Sequence, residues 1–192
     1  MNQFIPDIIK QQTKLTTYNC GFGGQGLKFS YIQLSETLKR YKPKMVIVDI
    51  SPNILLDPKS EQKLKILFPF YNRDTLIYNE LTNNKSLEKI KLSSSIYPYN
   101  STIGSIIKGM FKNFSDSLNG FAPINRIIDT TNLTNQLNTE YFESKIPSQK
   151  FAYLNNLIKL CQCRNIKMVI VVSPYYKMNH NLEMMIDQIK SI

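Results

Sequence analysis

K-P-K-M-V-I-V-D-I-S-P-N, running from Lys42 to Asn53, is the stretch on which the fold turns. Met45, Val46, Ile47 and Val48 form an unbroken apolar run, mostly β-branched and short enough for one strand. Such a run predicts a parallel strand covered by helices and buried on both faces. Asp49, Ser51, Pro52 and Asn53 end it in a polar turn, since Pro52 has no N–H to continue a ladder. In open α/β sheets ligands sit at the carboxyl ends of strands. A site is therefore expected around Asp49 to Asn53.

Upstream, Leu15 to Tyr18 reads as a short strand, followed by N-C-G-F-G-G-Q-G from Asn19 to Gly26. Those glycines permit a tight turn whose N–H groups can face an anion. No Gly-Lys-Ser/Thr follows, so it is not a Walker loop. Gly21, Gly23 and Gly26 match G-x-G-x-x-G, but the acidic ribose-binding residue is missing: the next acid, Glu36, falls within a predicted helix. That helix carries Leu27, Tyr31, Leu34, Leu38 and Tyr41 on one face over about four turns. It ends at Lys39, Arg40 and Lys42, where positive charge suits the dipole, and Pro43 closes it. Strand, glycine turn, helix and strand make a right-handed βαβ unit. Before it, Pro6 opens a short amphipathic helix with Ile5, Ile8 and Ile9 on one side, expected to lie against the sheet.

Downstream, a helical stretch near Ser60 to Phe68 is expected to be interrupted by Pro69. Further helices are predicted at Asp74 to Leu81, Leu87 to Leu92 and Thr102 to Phe114, the last with Ile103, Ile106, Ile107, Met110 and Phe111 on one flank. No strong strand occurs here, so residues 57–146 read as a mainly helical insertion rimming the carboxyl edge. Pro147 then opens a helix directing Phe151, Leu154, Leu157, Ile158 and Cys161 inward. Ile166 to Val172 is the second buried strand, ending in Ser173-Pro174 much as the first ends in Ser51-Pro52. A last helix spans Leu182 to Ile189.

The chain has 192 residues, 42% hydrophobic and 11% aromatic, which suits one folded domain with a real core. Its formal charge of +10 comes mainly from dispersed lysines, not from one basic face, so no nucleic-acid partner is inferred. Cys20, Cys161 and Cys163 have no metal spacing, and the last two point in different directions on a helix, so neither a disulfide nor a zinc site is indicated. No signal peptide is recognised and no apolar run reaches membrane length.

Three pieces in order, Tyr18 to Gly24 (Y-N-C-G-F-G-G), Pro43 to Asn53 (P-K-M-V-I-V-D-I-S-P-N) and Val169 to Pro174 (V-I-V-V-S-P), resemble the middle of an SGNH/GDSL-type hydrolase. The likeness is to large bacterial members with a long insertion between the third and fourth strands. It implies a three-layer, flavodoxin-like α/β fold on a parallel sheet, here a single truncated domain over 1–192 with its first and last strands missing. It also implies that Gly24 matches the oxyanion glycine of the Asn-x-Gly-x-x-Gly block and Asn53 the oxyanion asparagine of the Gly-x-Asn block, with Ser51 in place of the usual glycine. No cofactor is implied. An ester or O-acetylated glycan is the implied substrate of the complete protein.

The nucleophilic serine block and the Asp-x-x-His pair of that family are not matched. His180 is the only histidine, with Lys177 three residues before it, and it reads as a surface residue. Ser51 and Ser173 read as turn-forming or helix-capping residues, because no histidine is available to activate either. Asp49 reads as structural. The expectation is therefore a fragment of an ester hydrolase, inactive by itself, against a noncatalytic SGNH-like binding domain or a helical interaction protein with a small α/β core. In the family's strand order the missing strand lies between Leu15–Tyr18 and Met45–Ile50. Met45–Ile50 and Lys167–Val172 should then persist as parallel neighbours, while Leu15–Tyr18 must slide inward or detach. Exposed strand edges would favour self-association.

Overall fold

The computed structural model describes residues 4–51, 55, 64–83, 86–100, 103–111, 119–121, 146–172 and 182–190. In chain order its elements are α1 (Pro6–Thr13), α2 (Leu27–Thr37), β1 (Met45–Asp49), α3 (Thr75–Thr82), α4 (Ser86–Leu92), α5 (Ile103–Met110), α6 (Ser148–Cys163), β2 (Lys167–Val171) and α7 (Leu182–Lys190), with 3-10 turns at Lys65–Phe70 and Tyr97–Tyr99. The chain forms two compact units, residues 1–23 with 84–130 and residues 24–83 with 131–192.

The second unit holds the sheet. β1 and β2 pair in parallel, Met45 opposite Lys167, Ile47 opposite Val169 and Asp49 opposite Val171. Ile50 extends the ladder by donating to the Val171 carbonyl at 2.8 Å. The expected adjacency of these two strands is thus observed. Val46, Val48 and Ile50, with Met168, Ile170 and Val172, belong to one core with Leu27, Leu34, Leu38, Leu154, Leu157 and Cys161. Full burial on both faces is not observed: within the two strands only Val48 is buried, Lys167 is exposed and the rest are partly buried, and Ile47, Val169 and Val171 are not among the residues of the core. The reason lies in the packing. α2 and α6 pack on each other and supply the same core, so a period of two emerges inside a run that is apolar throughout.

Termination of α6 delivers β2. Pro147 occupies its N-cap at φ −55°, one residue before the helix. At the other end Asn165 takes φ +53°, its N–H donates to Gln162 at 3.1 Å and Ile166 N–H reaches back to Cys161 at 2.9 Å. This is a Schellman stop, and its apolar pair, Cys161 with Ile166, lies in the core. As expected, Cys161 is buried while Cys163 is exposed.

α2 is shorter than expected, eleven residues, and Tyr41 is 68% exposed beyond its end. It is also buried on a second side, through Lys28, Phe29 and Ile32. On that side Lys28 Nζ lies 2.9 Å from Glu80 of α3, and Lys39 pairs with Asp74. Asp74 caps α3, accepting from the N–H groups of Leu76 at 2.7 Å and Ile77 at 3.4 Å. Pro69 does not interrupt its helix but sits inside the 3-10 turn, whose i→i+3 bonds from Leu67 and Tyr71 do not need its N–H.

The first unit contains α1, α4 and α5. α1 forms where expected but groups with this unit, not with the sheet, and Ile5 and Ile8 remain exposed. Leu15 to Tyr18 is not a strand. Local side chains take its backbone groups: Thr13 Oγ1 accepts from Leu15 N–H at 3.2 Å, and Thr17 Oγ1 donates to the Leu15 carbonyl at 3.2 Å. Asn19 N–H instead donates to the Asn119 carbonyl at 2.8 Å, and a Cβ on the neighbouring Gly120 would collide with the Asn19 carbonyl oxygen. The expected strand does not form.

Candidate functional site

Gly24 lies in the turn that leads into α2. Its φ of +74° is a left-handed conformation that L side chains rarely adopt, and a Cβ placed there would meet nothing within 4 Å. Among the described residues its amide has no backbone hydrogen-bond partner. The adjacent Gln25 Oε1 is buried and accepts no hydrogen bond. Buried polar atoms without a partner are few in folded proteins and mark places that need an explanation. Gly26 caps α2 through its backbone, its carbonyl accepting from Ser30 N–H at 3.2 Å.

α2 and β1 contribute to one hydrophobic core, Leu27, Leu34 and Leu38 with Val48 and Ile50. The carboxyl end of β1 is formed by Asp49, on the face away from the core, then buried Ile50 and half-buried Ser51. Leu55 N–H donates to the Ser51 carbonyl at 3.2 Å, and Leu55 is completely buried.

Of the residues singled out in the sequence, Gly24, Asp49 and Ser51 are described. Asn53, Ser173, Pro174, Lys177 and His180 lie outside the described residues. Among the described residues no group of three His, Cys, Asp or Glu side chains could hold a metal ion. The concavity lined by Asp7, Lys10, Gln11 and Lys14 is an open face of α1 and contains none of the candidate site residues.

A polar cluster in the second unit had no counterpart in the sequence reading. Lys28 Nζ contacts Glu80 Oε2 at 2.9 Å and donates to the Glu80 carbonyl at 2.8 Å, while Tyr153 OH donates to Glu80 Oε2 at 2.9 Å. The same ammonium stands 5.8 Å from the Tyr153 ring centre, and Tyr31 packs against that ring at 6.1 Å. With both ions mostly buried, the cluster ties α2, α3 and α6 together; its polar groups are satisfied by one another, which fits a structural role. No family model, curated protein or solved structure matches the chain.

Proposed function

We propose that this chain supplies the oxyanion side of an SGNH/GDSL-type ester-hydrolase site, with Gly24 and Asn53 as the two donors. The observation that carries the reading is the Gly24 turn. Its left-handed backbone and empty Cβ side open onto a helix that shares one hydrophobic core with the parallel strand pair. In such a site a serine attacks the acyl carbon as histidine takes its proton, and negative charge builds on the former carbonyl oxygen. The Gly24 N–H and the Asn53 side-chain amide would donate to that oxygen. Each donor of this kind contributes on the order of 3 kcal/mol to the transition state.

The reading assigns the nucleophile and the Asp-x-x-His pair to segments outside these 192 residues. Two donors without a nucleophile or base give no turnover, so the chain alone should not hydrolyse small activated acetyl esters above the uncatalysed rate. Hydrolysis that survives purification and is abolished by Ser51→Ala or Ser173→Ala would overturn this division of labour. Sequencing the flanking DNA tests the reading itself. An in-frame Gly-x-Ser before Met1 and an Asp-x-x-His after Ile192 are the expected result, whereas their absence would favour a noncatalytic binding domain.

A further inference from the structure

Among the described residues the sheet has two strands and therefore two edges, and its register says which backbone groups lie on each. Lys167 N–H donates to the Lys44 carbonyl at 3.2 Å, and Ile50 N–H donates to the Val171 carbonyl at 2.8 Å. In a parallel pair these bonds fix the alternation. Lys167, Val169 and Val171 turn their peptide groups toward β1, so the N–H and C=O groups of Met168, Ile170 and Val172 point away from it. Among the described residues none of those three has a backbone hydrogen-bond partner on that side. All three are half-buried against the core, where an unpaired peptide group is costly.

Such a row specifies its occupant. Donor and acceptor recurring at every second residue, about 7 Å apart, match an extended peptide backbone. The β1 edge is the poorer of the two. Its outward residues are Met45 and Ile47, since Asp49 already has a partner, and exposed Lys44 stands at its start. β2 carries no proline, no bulge and no charge beyond its first residue, Lys167, so it lacks the devices that keep strand edges apart.

A second copy of β2 completes that edge when it runs antiparallel about a two-fold axis at Ile170. Met168 then pairs with Val172 of the partner subunit and Ile170 with Ile170 of the partner subunit, and each pair exchanges both bonds. Between them, Val169 stands opposite the partner's Val171 on the face away from the core. The two Lys167 side chains fall at opposite ends of the new ladder, about 20 Å apart and beyond the screening length. A parallel arrangement would set them side by side. The antiparallel contact is isologous and closes at two copies.

We propose that the open edge of β2 is a dimerisation edge, at which two copies of the chain join their sheets into one. The proposal uses neither Gly24 nor Asn53 and stands apart from the ester-hydrolase reading. One short ladder is a small interface, so sedimentation equilibrium of the 192-residue chain should show a weak, concentration-dependent dimer. Salt should favour it, by screening two charges of +10 while leaving main-chain bonds intact. Val169→Lys with Val171→Lys sets like charges opposite each other on both sides of the axis and should weaken the dimer by about tenfold or more. Val169→Glu with Val171→Glu should do the same, although it lowers the net positive charge. Val169→Lys with Val171→Glu sets opposite charges at the same positions and should restore the dimer. Neither valine belongs to the core, so circular dichroism should be unchanged in all three variants. A monomer at every salt concentration, a dimer that the like-charge variants leave intact, or equal weakening by all three variants would overturn the proposal.

Discussion

Replacing Glu80 by alanine removes the carboxylate that faces Lys28 and leaves a buried ammonium. Lys28 is 8% exposed, and its Nζ lies 2.9 Å from Glu80 Oε2. At an effective dielectric of about 20 that separation corresponds to a gross attraction of about 6 kcal/mol, most of it offset by desolvation. The cost of deleting one partner is set by the charge left behind, about 3–5 kcal/mol. Tyr153→Phe, which removes only the bond to Glu80 Oε2, should cost about 1.5–3 kcal/mol. Replacing both ions, as Lys28→Met with Glu80→Leu, should return stability to within about 1 kcal/mol of wild type. Urea unfolding monitored by circular dichroism measures all three, and hydrogen exchange in α2 and α3 localises the effect. A Glu80→Ala cost below about 1 kcal/mol would place the pair among ordinary surface ion pairs and refute the buried-cluster account.

The Lys39 ammonium beside Asp74, helped by the N–H groups of Leu76 and Ile77, holds the Asp74 carboxyl below its ordinary value. A depressed carboxyl contributes its stability above the ordinary value and loses it as pH falls through the lower one. Wild type should therefore lose more stability than Asp74→Asn on acidification below about pH 4, as read from urea midpoints; parallel curves would contradict the pairing. Burial pushes both the Cys161 and the Cys20 thiols up, but only Cys161 is closed to solvent, whereas Cys20 and Cys163 have exposed surface. A thiol reagent should modify Cys20 and Cys163 in the native state and Cys161 only on unfolding, and peptide mass spectrometry showing early labelling of Cys161 would contradict the core assignment. Gly24→Ala should cost about 1–2 kcal/mol from the left-handed backbone alone, since no atom stands in the way of the methyl. A markedly larger loss in thermal unfolding would mean the turn is packed.

The parts of the fold legible in the sequence are those decided by local pattern. Met45–Asp49 and Lys167–Val171 announce themselves as apolar runs, and α3, α4 and α6 by apolar spacing with Asp74 or Pro147 at their starts. What local pattern does not encode is the element packed against each run. Ile47 and Val169 look as apolar as Val48 and Ile170, yet both helices cover only one side of the strands. Leu15 to Tyr18 has strand propensity, but Thr13, Thr17 and the Asn19 bond to Asn119 offered its backbone nearer partners. Lys28 carries no sequence sign of burial, because its carboxylate partner stands 52 residues away on another helix. At the site, a tight turn was legible because four glycines crowd it, but which of them takes the left-handed conformation was not: Gly24 does, and Gly21, Gly23 and Gly26 do not. The unsatisfied Gln25 Oε1 was not, since nothing in a glutamine's neighbours along the chain says which of its atoms will be buried.

The central proposal is that Gly24 and Asn53 are oxyanion donors, and, where the flanking DNA encodes the serine and Asp-x-x-His blocks, turnover of the extended chain tests it most directly. With a small activated acetyl ester, Asn53→Ala should lower kcat by about a hundredfold while circular dichroism and thermal unfolding stay unchanged, and His180→Ala should have no effect. Unchanged turnover in a folded Asn53→Ala protein, or a comparable loss from His180→Ala, would contradict the account.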